Sequence, residues 1–379
     1  MKHQPKVLYT TAGSVCILTL NRPQALNALT ISMVQMIARR FEEWEQDTDC
    51  HAIIFKSSQA KAFCTGGDIR GIANDLRVNY QRVIDLFDEE YRLAHMIATM
   101  KTPIVTFVDG IAMGAGLGIA VHAPIRIATE TTMVAMPETA IGGSPDVGTT
   151  FFLPRLAGEI GTYLGLTGHR LKGADVVHAG LATHFVPSDR LAELEKHLLA
   201  LSEPDLAELR RVVDEFAVRA DYSRFSLLPH RAAIDRQVLY NTMEEIIIAL
   251  GRERSRWAQD ILHTLDKMSP LGLRATLHQL RFGRNHGIAD CVRKEFDMSQ
   301  KLAAAPDFIE GIIALVVDRR PPVWSPPSLA DLSEDTMHKQ FYTPQAPLQI
   351  TLLNAVNFVA YPHQKGQVSG VEGNLRGHM

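Results

Sequence analysis

The chain is predicted to be an α/β protein, on two observations in its first half and one in its second. Short apolar runs bounded by turn residues, at 15–20, 52–55, 103–108 and 132–136, read as buried strands. They alternate with segments of helical spacing at 30–45 and 80–100. Beyond Gly148 the pattern is almost wholly helical. The expected organisation is a core over 1–210, a helical region covering it over 211–342, and a Gln-, Asn- and Gly-rich tail over 343–379.

Each element has its own signal. Residues 7–9 and 15–20 flank an Ala12-Gly13 turn, as in a hairpin, and Asn21-Arg22-Pro23 ends the second run. In the segment 30–45, Ile31, Met33, Val34, Ile37, Phe41 and Trp44 repeat at helical spacing. The long helix at 80–100 carries Val83, Phe87, Ala94 and Ile97 on one stripe, and Glu90 falls on that same stripe. A carboxylate there needs either a basic partner or a polar ligand, because burying an unpaired charge is costly. No internal repeat is visible in the sequence.

Composition narrows the function classes. A net charge of −3 without a basic run argues against a nucleic-acid partner. No apolar stretch reaches the length of a membrane span, and residues 1–6 do not resemble a secretion signal, so a cytoplasmic protein is expected. The four cysteines are scattered and lack C-x-x-C spacing, which reads as buried thiols.

The chemistry concentrates in residues 102–148. Gly114-Ala115-Gly116-Leu117-Gly118 follows a strand and opens a helix, leaving backbone N–H groups without partners. Glu138 ends the next strand and Asp146 lies eight residues later. Backbone donors beside two acids describe an acyl-transfer or enolate site. Gly66-Gly67-Asp68 forms a second glycine turn after a strand, readable as a plain strand–helix turn or as a close approach to a ligand. A dinucleotide fingerprint is disfavoured, because Ile119 stands where the third glycine belongs. There is no Gly-x-Ser-x-Gly elbow and no His-Glu-x-x-His, Cys64 would need a nearby histidine to act as a nucleophile, and His122 and His184 read as structural.

Three ordered segments, 62–68, 109–116 and 136–139, together resemble the crotonase (enoyl-CoA hydratase/isomerase) superfamily. Segments 137–142, 145–148, 152–156 and 182–186, with Phe308, Glu310, Gly311, Asp318 and Trp324, resemble its 3-hydroxyisobutyryl-CoA hydrolase branch. The resemblance implies a crotonase fold of stacked ββα units with a mostly helical C-terminal region. It implies an acyl-CoA thioester as substrate and partner, no separate cofactor and no metal, and it allows a homo-oligomer. By the same resemblance, Glu138 is the catalytic carboxylate and Asp146 its partner. The amides of Gly67 and Ala115 form the oxyanion hole, and Glu90, Gly66, Asp68, Gly114 and Gly118 line the substrate site. Segments 24–28 and 62–66 would hold the adenine and pantetheine. Hydratases of the superfamily carry a further glutamate where this chain has Gly118, and a side chain there is expected to project towards Glu138. The expected activity is hydrolysis of a short 3-hydroxyacyl-CoA. An enoyl-CoA hydratase or isomerase, and a non-catalytic binding subunit of the same fold, are the alternatives.

Overall fold

In the computed structural model, which describes residues 4–343, the hairpin around Gly13 forms as expected. Strand β1 (Val7–Ala12) pairs antiparallel with β2 (Val15–Leu20). Helix α1 (Ile31–Gln46) starts at Thr30, whose hydroxyl accepts the Met33 N–H at 3.4 Å and so satisfies one free donor of the first turn.

A two-strand-and-helix step then recurs three times. The first step is β3 (Ala52–Ser57) and β4 (Ala62–Cys64), followed by α2 (Ile69–Val78) and α3 (Tyr80–Thr99). The second is β5 (Ile104–Val108), β6 (Ile111–Met113) and α4 (Ala115–Val121). The third is β7 (Ile125–Ala128) and β8 (Met133–Ala135), a 3-10 turn over Glu138–Ile141, and α5 (Thr149–Phe152). In every step the first strand joins a six-stranded sheet, ordered β1-β2-β3-β5-β7 and closing on β10 (His184–Phe185). The second strand joins a four-stranded sheet, ordered β4-β6-β8 and closing on β9 (Leu171–Lys172). The steps stack in chain order and in parallel. The repeat lies in hydrogen bonding and not in residue identity, which is why the sequence shows none.

Strand β7 was not anticipated, because Arg126 interrupts its apolar run. That guanidinium is buried but donates to the carbonyls of Ala123, at 2.7 Å, and Leu181, at 2.8 Å. A buried charge is tolerable when so satisfied.

Both faces of the large sheet are covered, which explains its unbroken apolar strands. In β2, Cys16, Leu18 and Leu20 face the main core while Val15 and Ile17 face a second apolar layer. That layer is closed by α8 (Leu191–Leu199) and α9 (Leu206–Phe216), through Leu194, Leu198, Leu209 and Val213. Position 210, where the sequence reading divides core from cover, falls inside α9. Between β8 and α8 lie α6 (Ile160–Thr167) and α7 (Asp175–His178).

The helical region contains α10 (Arg231–Gln237), α11 (Met243–Glu253), α12 (Arg256–Leu265), α13 (Pro270–Gly283), α14 (Ile288–Ala304), α15 (Pro306–Ile312) and α16 (Glu334–Met337). Helices α10 to α15 bury residues in the same apolar cluster that begins at Val7 and ends at Ile312. They are continuous with the core rather than a layer laid over it. All four cysteines are buried and unpaired. Among the described residues no helix is long and apolar enough to cross a membrane. The expected tail lies outside the described residues from position 344 onward.

Candidate active site

The backbone donors come from two turns set against each other. After β4 the chain turns at Gly66, whose φ of +94° favours glycine. Leu29 forms a parallel bridge with Gly67: its N–H donates to the Gly66 carbonyl at 2.8 Å and its carbonyl accepts the Asp68 N–H at 2.8 Å. The residue between those two bonds directs its own N–H to the opposite side, so the Gly67 amide faces away from Leu29. At the start of α4, the amides of Leu117 and Gly118 bond back to the Gly114 carbonyl at 2.9 and 3.0 Å. Ala115 and Gly116 precede them and have no acceptor within the helix. The two turns touch: a side chain on Gly116 would meet the Cys64 carbonyl at 2.2 Å, and one on Gly66 would come within 3.5 Å of the Ala115 nitrogen.

Three carboxylates lie around this junction. Glu138 opens the 3-10 turn after β8, and its Oε1 stands 2.6 Å from where a Gly114 side chain would begin. Its Oε2 is shielded from solvent and has no partner. Burial, and then the charge of Asp146, hold the Glu138 carboxyl well above the usual range. Asp146 accepts a 2.5 Å hydrogen bond from the Tyr91 hydroxyl. Burial raises the Asp146 carboxyl to about 6, with the Tyr91 bond pulling the other way. Glu90 is 3% exposed, and its Oε1 is shielded, unpartnered and 3.7 Å from the side-chain position of Gly67. Burial first, and Asp146 second, push it well up as well. The stripe on α3 therefore places Glu90 beside Gly67, without a basic partner on its Oε1.

Two residues expected to line the substrate site are placed differently. Asp68 caps α2 by accepting the Gly71 N–H at 3.3 Å and pairs with Arg22 at 2.8 Å, so both of its oxygens are engaged in structure. Gly118 faces Val147: a Cβ there would lie 2.6 Å from the Val147 side chain and 2.7 Å from its carbonyl oxygen. The position pointing towards Glu138 is Gly114, the non-helical residue before α4 at φ +51°, whereas Gly118 lies inside the helix and its side-chain position meets Val147. Cys64 donates its thiol to the Asn27 carbonyl at 3.1 Å, and burial raises it to about 12, so it is a protonated packing residue. Ser144 donates to Gln279 at 2.7 Å.

Several contacts behind Asp146 escaped the sequence reading. Val147 has φ +55°, an unfavourable conformation for a β-branched residue, and Gly148 follows at +85°. The Val147 carbonyl accepts a 3.3 Å bond from His122 Nε2, and burial lowers that imidazole to about 4, so it donates as a neutral ring. Glu295 of α14 accepts the Gly148 N–H at 2.7 Å and the Thr150 N–H at 2.6 Å. Its carboxyl is raised to about 8 by burial despite those two bonds. Ser299, one turn along α14, lies 2.6 Å from the Tyr91 hydroxyl. Glu295 sits on an apolar helical stripe with Cys291 and Val292, the same signal that singled out Glu90.

Residues 15–341 match the family model described as enoyl-CoA hydratase/isomerase. The chain is 43% identical over 339 residues to "3-hydroxyisobutyryl-CoA hydrolase, mitochondrial" of Gallus gallus, covering 88% of each, and 41% identical to the Homo sapiens protein of that name, covering 89% and 88%. It is also 39% identical to small ribosomal subunit protein mS47 of Neurospora crassa, covering 95% of this chain and 76% of that one. Among solved structures, a carnitinyl-CoA dehydratase from Mycobacterium thermoresistibile superposes with a TM-score of 0.84 at 32% identity, covering 92% of this chain and 99% of the other. An enoyl-CoA hydratase from Rhodobacter sphaeroides gives 0.80 at 33%, covering 91% and 98%. On fold and sequence alike, the chain belongs to the crotonase, or enoyl-CoA hydratase/isomerase, family, in the branch that holds the 3-hydroxyisobutyryl-CoA hydrolases.

Proposed function

We propose that this protein hydrolyses a short 3-hydroxyacyl-CoA thioester, 3-hydroxyisobutyryl-CoA or 3-hydroxypropionyl-CoA, to the free acid and CoA. The observation that carries this reading is the Glu138 carboxyl, shielded, with one oxygen unpartnered, against the helix start that presents the Ala115 amide. Ionised Glu138 either adds to the thioester carbonyl carbon or takes a proton from the water that does. In both routes the carbonyl oxygen becomes negative beside the Gly67 and Ala115 amides, and CoA leaves as its thiolate. The first route then needs water to open the acyl-enzyme anhydride. Burial of Glu90 beside Gly67, with one oxygen unpartnered, supports a contact with the 3-hydroxyl of the acyl group.

Hydration is disfavoured because the second acid of hydratases has no counterpart at Gly118, and Val147 fills the space a side chain would need there. A non-catalytic role is supported by the relative mS47. Against it stand Glu90 and Glu138, each with a shielded oxygen that meets no partner, an arrangement costly to a fold that makes no use of it.

The test is a panel of acyl-CoA esters, with free thiol and enoyl absorbance followed in parallel. Thiol release that requires a 3-hydroxyacyl group is the expected result; loss of enoyl absorbance would mean a hydratase, and inertness a binding subunit. On the same panel, Glu90→Ala should raise KM about tenfold for hydroxylated esters and much less for unsubstituted ones. An equal effect on both would make Glu90 structural.

The carboxylates also set a pH dependence. Because Glu138 must ionise and is held well above its ordinary value, the acid limb of kcat/KM should lie well above about 4.3. Asp146→Asn removes a negative neighbour, so Glu138 should ionise more readily and the limb should move to lower pH. A limb unmoved in Asp146→Asn would show that the two groups do not communicate.

A further inference from the structure

We propose that Tyr91 and Ser299 form a hydroxyl pair that positions Asp146 for the reaction, with helix α14 as the element that holds the catalytic loop in place. The inference rests on the hydrolase reading. The hydroxyl of Tyr91 has one proton, and the 2.5 Å bond to Asp146 Oδ2 uses it. Ser299 Oγ lies 2.6 Å from the same hydroxyl, so the phenol is held between Ser299 and Asp146. All three atoms are fixed. Tyr91 is 0% exposed, its ring stacks on Phe87 at 6.1 Å, and Phe296 meets it edge-on at 6.1 Å.

The same helix grips the backbone of this loop. Glu295 and Ser299 lie four residues apart on α14 and so project from one face. Glu295 takes two amides just beyond Asp146, while Ser299 reaches the Asp146 side chain through Tyr91. His122 holds the Val147 carbonyl from the other side. Asp146 is thus fixed by its side chain and by the two residues after it, and a left-handed Val147 persists because both of its flanks are held.

A hydroxyl bond to an ionised carboxylate favours the charged form. The groups facing Asp146 are Glu90 and Tyr91 from α3, Glu138 from the 3-10 turn, and Glu295 from α14. Three of these are acids and oppose its charge. The Tyr91 bond works against them and favours the charged form of Asp146. Neither hydroxyl touches the reacting atoms, so both are positioning residues.

The test follows the Asp146 carboxyl by 13C NMR, assigned against Asp146→Asn, alongside turnover. In Tyr91→Phe its titration should move up by about one pH unit, and kcat at pH 7 should fall about tenfold with KM within about threefold. Ser299→Ala should shift the titration the same way by less, and Ser299→Thr should restore it. An unchanged Asp146 titration in folded Tyr91→Phe and Ser299→Ala proteins would overturn the proposal, even with brisk thiol release by the unmodified enzyme. Absence of thiol release from the unmodified protein would instead bring down the hydrolase reading, and with it the catalytic use of the pair.

Discussion

Glu138→Gln should bind acyl-CoA within about threefold of the unmodified protein while kcat falls by about 10³-fold or more. The substitution keeps the size and most of the hydrogen bonding of the side chain, and it removes the carboxylate whose Oε2 is shielded and unpartnered and whose Oε1 stands at the head of α4. Only steps that need a carboxylate should suffer. Calorimetric titration with a non-hydrolysable ester reads binding, and a thiol assay reads turnover. The residual rate should also lose the acid limb, since the group that produces it is gone. Near-normal turnover in a folded Glu138→Gln protein would remove Glu138 from the mechanism.

Gly118→Glu should unfold more than it converts. Its Cβ alone would stand 2.6 Å from the Val147 side chain. Val147 cannot yield easily, since His122 holds its carbonyl and Glu295 holds the amide that follows. Overpacking of this kind costs about 1–3 kcal/mol, and the longer glutamate chain belongs at the upper end. The urea midpoint should drop accordingly. Turnover should fall about 10²-fold in the fraction that folds, because Asp146 moves with Val147. Gly118→Ala carries the same clash in smaller form, and Val147→Gly in that background should recover part of the stability. It removes the colliding side-chain atoms, leaving only the backbone carbonyl oxygen at 2.7 Å, and also relaxes the positive φ. A Gly118→Glu protein with an unchanged midpoint and brisk enoyl-CoA hydration would place this side chain beside Glu138 after all.

What could be read in advance was local. Apolar runs buried on both faces, and stripes at helical spacing, do not depend on what they pack against. Strands β2, β3 and β5 and helices α1 and α3 therefore appear close to where the pattern puts them. Glu90 was legible for the same reason: a carboxylate on a buried stripe is anomalous whatever surrounds it. Gly118 was misjudged because a glycine has no side chain to show its direction, and the rotation within a seven-residue helix decides what it faces. Asp68 has the composition of either a cap or a ligand contact, and only the position of Arg22 separates them. The supports of Asp146 were illegible for a different reason. Tyr91 reaches it across 55 positions, Glu295 reaches Gly148 across 147, and Ser299 reaches Tyr91 across 208. No window on the sequence spans such distances, and each side chain has an ordinary helical environment of its own.

That last separation sets a schedule for biosynthesis. A ribosome adding about 5–20 residues per second takes roughly 10 to 40 s to pass from Tyr91 to Ser299. During that interval the ββα steps have been made, but Asp146 lacks the second hydroxyl of its support and Gly148 lacks its carboxylate acceptor. The nascent chain therefore carries a candidate site whose acids are not yet held. Catalytic competence arrives late and at once, when α14 closes on a loop completed long before it.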